Sequence, residues 1–245
     1  MSKNLNPHLV ASFDQELETL DGLLVRQFGM VYNMLNDAMR AVSQFDVQGA
    51  QEIVQRDKEV DALDTMIKEG VIKILALRSP LADDLRWVIT IQKVSGELER
   101  IGDLSKNICK RIHELARRPL PGATSGLRVL GFMVLEQLEG MQHSWIDENV
   151  DLAMKAWQGD SAVDALYGSM IRELLTHMFE DHGNITSCIH LLFMANNLER
   201  IGDHVTNIAE ELIFRITGKK PSGDRPKANH TSLAPTESVG EPEES

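Results

Sequence analysis

Between Val94 and Leu115 the apolar positions recur in steps of four and three, as Val94, Leu98, Ile101, Ser105, Ile108, Ile112 and Leu115. That spacing puts one continuous apolar stripe on a long helix. A second stripe follows the same rule through Leu191, Met194, Leu198, Ile201, Val205, Ile208 and Leu212. Neither stripe is stable unless a partner helix covers it.

Interruptions of the pattern divide the rest of the chain. They fall at Asp46–Gly49, Ser79-Pro80, Arg117–Gly126, Asp147–Val150 and Glu180–Asn184, where Pro, Gly, Asn and Asp punctuate the apolar rhythm. Pro80 suits the first turn of a helix, whereas Pro119, Pro121 and Gly122 together stop one. The breaks predict six helices over 8–45, 50–78, 80–117, 125–147, 150–179 and 185–217. From Gly218 the chain is rich in Lys, Pro, Ser, Gly and Glu and poor in large apolar residues, a composition that predicts disorder.

The two halves superpose. Val47–Ala50 answers Val150–Ala153, and Asp57–Leu63 (DKEVDAL) answers Asp160–Leu166 (DSAVDAL), both 103 residues on; Leu98–Asp103 and Leu198–Asp203 both read LERIGD. Offsets of 103 and 100, which nearly agree across two helices, indicate a duplicated three-helix unit. The expected fold is therefore all-α, with two tandem pseudo-symmetric three-helix bundles at 1–118 and 125–217, a 119–124 linker and a tail at 218–245.

Composition narrows the function. A net charge of -12 on 245 residues would repel a phosphate backbone, which excludes nucleic acid as an expected partner. No apolar run reaches the roughly 20 residues needed to span a bilayer, and the N-terminus lacks a signal-peptide core. No membrane insertion and a cytoplasmic location are expected. Cys109 and Cys188 lie inside apolar periodic segments without a CxxC pair, so buried thiols are expected rather than a disulfide or a metal site.

The candidate chemistry lies in acids at the edges of the stripes. Residues four apart share a helix face, so Glu99, Asp103 and Asn107 form one polar row and Glu199, Asp203 and Asn207 another. Asp57 with Asp61, and Asp160 with Asp164, are the pairs on the preceding helices. If those helices pack on the LERIGD helices, each bundle brings up to four carboxylates to one seam. Such groups are hard oxygen ligands for a cation. They are equally suited to be solvated flanks paired with Arg100, Lys106 and Lys110. Catalysis has less behind it: neither Glu99 nor Glu199 has the His three residues on that bundle oxidases use, and there is no phosphate loop or nucleophile elbow. His204 has Leu104 as its counterpart and falls outside the repeated chemistry. His177, His182 and His190 flank the last turn, where zinc is the less favoured reading.

ELERIGDLSKNI (Glu97–Ile108) and NLERIGDHVTNI (Asn197–Ile208), each after a helix carrying the DxxVDxL pattern, resemble the two signature helices of the PhoU family, over about residues 8–217. The resemblance implies two metal sites. Glu99, Asp103, Asp57 and Asp61 would serve one, Glu199, Asp203, Asp160 and Asp164 the other, with Asn107, Asn207, Arg100 and Arg200 at their edges and Fe, Zn, Mn or Mg as candidate ions. It also implies a homodimeric, non-enzymatic negative regulator of the phosphate-starvation response. Its partners would be the ATPase subunit of a phosphate ABC transporter and a sensor histidine kinase, which are also its only tie to the inner membrane. Glu97, where the second half has Asn197, predicts tighter metal binding at the first site. A metal-dependent enzyme and a purely structural bundle are the competing readings.

Overall fold

A computed structural model describes residues 7–120 and 122–221 of the chain. Residues 222–245, which hold most of the tail expected to be disordered, lie outside the described residues. Among the described residues seven α-helices follow one another: α1 (Pro7–Gln44), α2 (Val47–Arg78), α3 (Ala82–Arg117), α4 (Thr124–Ile146), α5 (Val150–Gln158), α6 (Asp160–Glu180) and α7 (Ile185–Thr217). Among the described residues there is no strand.

The helix starts obey the duplication. Asp46 caps α2 by accepting from the Gly49 backbone N–H at 2.9 Å. Asn149, 103 residues on, caps α5 by accepting from Asp151 and Leu152. Each satisfies backbone donors that the first helical turn leaves without partners. At the other end of α2, Ser79 turns into the left-handed region (φ 47°) and Pro80 prevents continuation.

The expected fifth helix is not continuous. It breaks at Gly159 into α5 and α6, where the Gly159 N–H is shared between the Lys155 and Ala156 carbonyls. A Cβ at Gly159 would sit 2.8 Å from Gln137 Nε2 on α4, so a larger residue here would have to move that side chain. The break makes Asp160 the first residue of α6, whereas its counterpart Asp57 lies in the middle of α2.

Packing confirms the two stripes: all seven positions of each are buried. α1, α2 and α3 pack as one three-helix bundle, α4, α5–α6 and α7 as the other, and α3 lies against α7. The α3–α7 pair is antiparallel. Lys93 meets Glu211, Glu97 meets Asn207, and Arg111 meets Phe193. In each pair the two residue numbers sum to 304, so the pseudo-two-fold relating the bundles passes between Gly102 and Gly202. A single apolar core runs through both bundles. The two thiols are buried and unpaired, and burial pushes Cys109 up to about 12, which leaves it un-ionised.

Candidate metal-binding acid clusters

The α2–α3 packing brings the first acidic set together, with a cation already inside it. Asp57 is 4% exposed. The Lys106 ammonium of α3 donates to both Asp57 Oδ2 and Asp103 Oδ1. Burial works against the lysine charge, but the bonds to Asp103 and Asp57 outweigh it and hold the group above the ordinary lysine range. Arg100 pairs with Glu99 and Asp103 from the exposed side. Asp61 is exposed at the rim.

Asp64 was not expected and belongs to this set. It is buried, accepts from Ser95 Oγ at 2.9 Å and pairs with Lys68 at 2.6 Å. It lies seven residues after Asp57, two turns along the same face. Its counterpart is Tyr167, so a search for repeated acids passes over it.

Mutual repulsion is visible in the titration of the set. Desolvation, then the charges of Asp57 and other neighbouring acids, raise Asp61 above its ordinary value. Desolvation and Asp103 do the same to Glu99. A carboxyl whose folded pKa is raised stabilises the protein below its unfolded pKa and loses that contribution as pH rises through the folded pKa. At neutral pH both groups therefore work against the fold. Asp61→Asn and Glu99→Gln are each expected to stabilise the metal-free protein by a few tenths of a kcal/mol at pH 7, with the gain vanishing below the carboxylate range. Urea denaturation in chelator at the two pH values checks this; a loss of stability at pH 7 would contradict it.

The second set is built from α6 and α7. Asp160 is buried at the start of α6, Asp164, Glu199 and Asp203 are half-buried, and all four are engaged by neighbouring groups. Thr206 stands where the first set has Lys106, and its hydroxyl donates to the Gly202 carbonyl of its own helix. An α4 residue that the sequence reading missed, Gln137, also faces this set.

In both halves the motif glycine lies against an oxygen of a facing helix. A Cβ at Gly102 would lie 3.5 Å from Asp57 Oδ1, and one at Gly202 would lie 3.6 Å from Gln137 Oε1 and 3.7 Å from Asp160 Oδ1. Asp57 Oδ1 and Gln137 Oε1 are buried without a hydrogen-bond partner among the described residues. Orphaned buried oxygens are costly, and two of them beside the same motif residue in two repeats call for a donor or a cation. As arranged, however, no three acids or histidines among the described residues converge closely enough to hold an ion, and that includes His177, His182 and His190.

Glu97 does not join the first set. It crosses to α7, where its carboxylate meets His204 Nδ1 at 2.6 Å and accepts from Asn207 Nδ2 at 3.1 Å. Burial opposes its charge, yet those two bonds hold its pKa below the ordinary range. Asn207 is thus drawn into the α3–α7 seam, and the Glu97/Asn197 difference belongs to that seam rather than to either acid cluster.

No helix among the described residues is long and apolar enough to cross a membrane. The PhoU domain model matches residues 24–112 and again 127–212, one match to each repeat. The phosphate-specific transport system accessory protein PhoU homolog of Xylella fastidiosa strain 9a5c is 40% identical over 232 residues, 95% of this chain and 98% of that protein. The accessory protein PhoU of Escherichia coli K12 is 34% identical over 218 residues, covering 89% and 90%. Among solved structures, PhoU from Pseudomonas aeruginosa aligns with a TM-score of 0.82 at 34% identity, over 84% of this chain and all of that one. With both repeats matched and the same architecture recovered, the chain belongs to the PhoU family.

Proposed function

We propose that the chain is a non-catalytic accessory regulator of a phosphate transport system. It would hold phosphate-starvation signalling off when phosphate is plentiful by linking the ATPase subunit of a phosphate ABC transporter to a sensor histidine kinase, in the cytoplasm and as a homodimer. The observation that carries this reading is the end-to-end similarity to phosphate-specific transport system accessory proteins, with both acidic helix pairs present. Deleting the chain's gene tests it: starvation genes are expected to be expressed constitutively in phosphate-rich medium, and normal repression would overturn it.

The acidic sets fit a hard cation in donor chemistry. Asp57, Asp61, Glu99 and Asp103 would hold it in the first repeat, and Asp160, Asp164, Glu199 and Asp203 in the second. A bound Fe, Mn, Zn or Mg ion would supply charge neutralisation and tie the middle helix of each bundle to its LERIGD helix. In the first set the Lys106 ammonium already neutralises Asp57 and Asp103, so metal has to displace it. The second set carries Thr206 at that position, and its four acids are engaged by other neighbouring groups. In a metal titration, Asp103→Asn and Asp203→Asn are each expected to remove one binding phase; a titration that neither substitution changes would contradict the two-site reading.

A further inference from the structure

Large apolar side chains stand exposed on several elements. Ile185, Ile189 and Phe193, each four residues from the next, form an exposed ridge along the first turns of α7, and Leu175 and Phe179 stand exposed on the same α6–α7 hairpin. The three α7 residues span roughly 12 Å at 1.5 Å per residue, about two helical turns. Phe193 is 47% exposed, and Phe179 is 81% exposed.

One charged neighbour of this ridge lacks a counter-ion among the described residues. The Arg111 guanidinium of α3 lies over the Phe193 ring, 4.0 Å from its centroid. Its Nε is buried and has no hydrogen-bond partner among the described residues. Burial pulls the group below the ordinary arginine range, and no carboxylate offsets that. The nearest acid along the helix, Glu114, is committed to His113 and Arg117.

The pseudo-two-fold shows what is missing. Position 111 corresponds to 211, and 193 to 93. In the symmetry-related place the Lys93 ammonium meets the Glu211 carboxylate at 3.0 Å, so that cation is neutralised within the chain. In the pair 111 and 193, Arg111 takes the place of that carboxylate and the Phe193 ring takes the place of the ammonium, so a half-buried cation is left beside an apolar ridge. A half-buried cation next to exposed apolar surface is satisfied by a ligand that carries both an apolar face and an acid.

We propose that the α7 ridge, with Arg111 at its edge, is the docking surface for an amphipathic helix of a partner protein, whose apolar stripe covers Ile189 and Phe193 and whose edge carboxylate pairs with Arg111. The three ridge positions suit the i, i+4, i+7 anchors of a helix laid along a helical face. This inference deepens the adaptor reading and rests on it, but it is measured on the purified chain. Peptide binding can therefore fail while the phosphate phenotype stands, and the reverse.

The test is fluorescence anisotropy with a labelled helical peptide of about four turns. It carries Leu and Phe along one face and Glu along one edge, and a twin carries Lys on that edge. The Glu peptide is expected to bind at least about tenfold more tightly than its twin, although the net charge of -12 favours the twin everywhere else on the surface. Arg111→Glu is expected to invert the preference. Phe193→Ala is expected to weaken the Glu peptide at least about tenfold, while Phe132→Ala on the exposed face of α4 leaves it unchanged. Equal affinity for the twins, or insensitivity to both Arg111→Glu and Phe193→Ala, would overturn the proposal. So would the other occupants: a monomer–dimer equilibrium abolished by Phe193→Ala without peptide binding, flotation with phosphatidylcholine vesicles lost in the same variant, or peptide binding seen only after the chain is ended at Pro221.

Discussion

Replacing Lys106 by Met is expected to cost the metal-free protein about 2–4 kcal/mol, because it strands a buried carboxylate. The methylene stem is conserved in volume, so the loss is electrostatic. Asp57 is buried, has Asp61 and Asp103 as acidic neighbours, and already has one oxygen without a partner. Losing the ammonium leaves that charge uncompensated. The lower end of the range applies if water reaches Asp57 through the partly exposed side of the pair.

The pH dependence distinguishes this from a packing defect. In the wild type the Lys106 pKa is raised, so its contribution is fully present below the unfolded lysine value and is lost only above it; the bridge is intact throughout the neutral range. In Lys106→Met, Asp61 loses the lysine charge that offsets part of its raised pKa, so the deficit is expected to shrink as pH falls through the carboxylate range. Millimolar Mn²⁺ or Mg²⁺ is expected to restore much of the loss at pH 7, since an ion that binds only the folded state stabilises it by mass action. A variant as stable as wild type in chelator at pH 7, or one whose deficit ignores both pH and metal, would defeat this account.

Trp145→Ala is expected to cost about 3–5 kcal/mol, the largest loss from any single truncation considered. The Trp145 side chain is 1% exposed and meets α1 and α7 from its place on α4. Its Nε1 donates to Asp21 Oδ1 of α1 at 3.0 Å, and its ring lies 6.3 Å from that of Phe28. The Arg215 guanidinium of α7 lies 5.2 Å from the Trp145 ring and 4.5 Å from that of Trp87 on α3, and it pairs with Glu148. Removing the indole leaves a cavity and loosens a stack that joins both bundles. The midpoint in urea should fall with the slope unchanged, which marks lost stability and not a changed unfolded state. Trp145→Phe is expected to lose less than half as much, since most of the ring volume remains. A loss under about 1 kcal/mol for the alanine variant would show that the site collapses onto itself.

The helical framework was legible because helix periodicity is a local property. The stripes at Val94–Leu115 and Leu191–Leu212 are buried as expected, and Asp46 and Asn149 cap equivalent helices. The break at Gly159 was missed for a physical reason. Glycine inside a periodic segment is tolerated, and nothing in the local stretch fixes whether the helix runs through it.

The acid pairs were legible because i, i+4 spacing and internal repetition are both written along the chain. What faces them was not. Asp64 escaped because its counterpart is Tyr167. Gln137 escaped because it comes from α4, and Glu97 was assigned to a set from which it turns away toward His204 and Asn207.

By itself, then, the sequence determined the all-α class, the duplication, the buried faces and the acids at their edges, because each follows from the identity and spacing of residues within one or two turns. Only the tertiary structure decided that Lys106 stands among the acids of the first repeat while Thr206 stands in the second, that α3 and α7 cross antiparallel about Gly102 and Gly202, and that Arg111 meets a ring where Lys93 meets a carboxylate. Those facts depend on which helices touch and in what register. Register is set by the summed packing of whole helix faces, to which no local stretch of sequence corresponds.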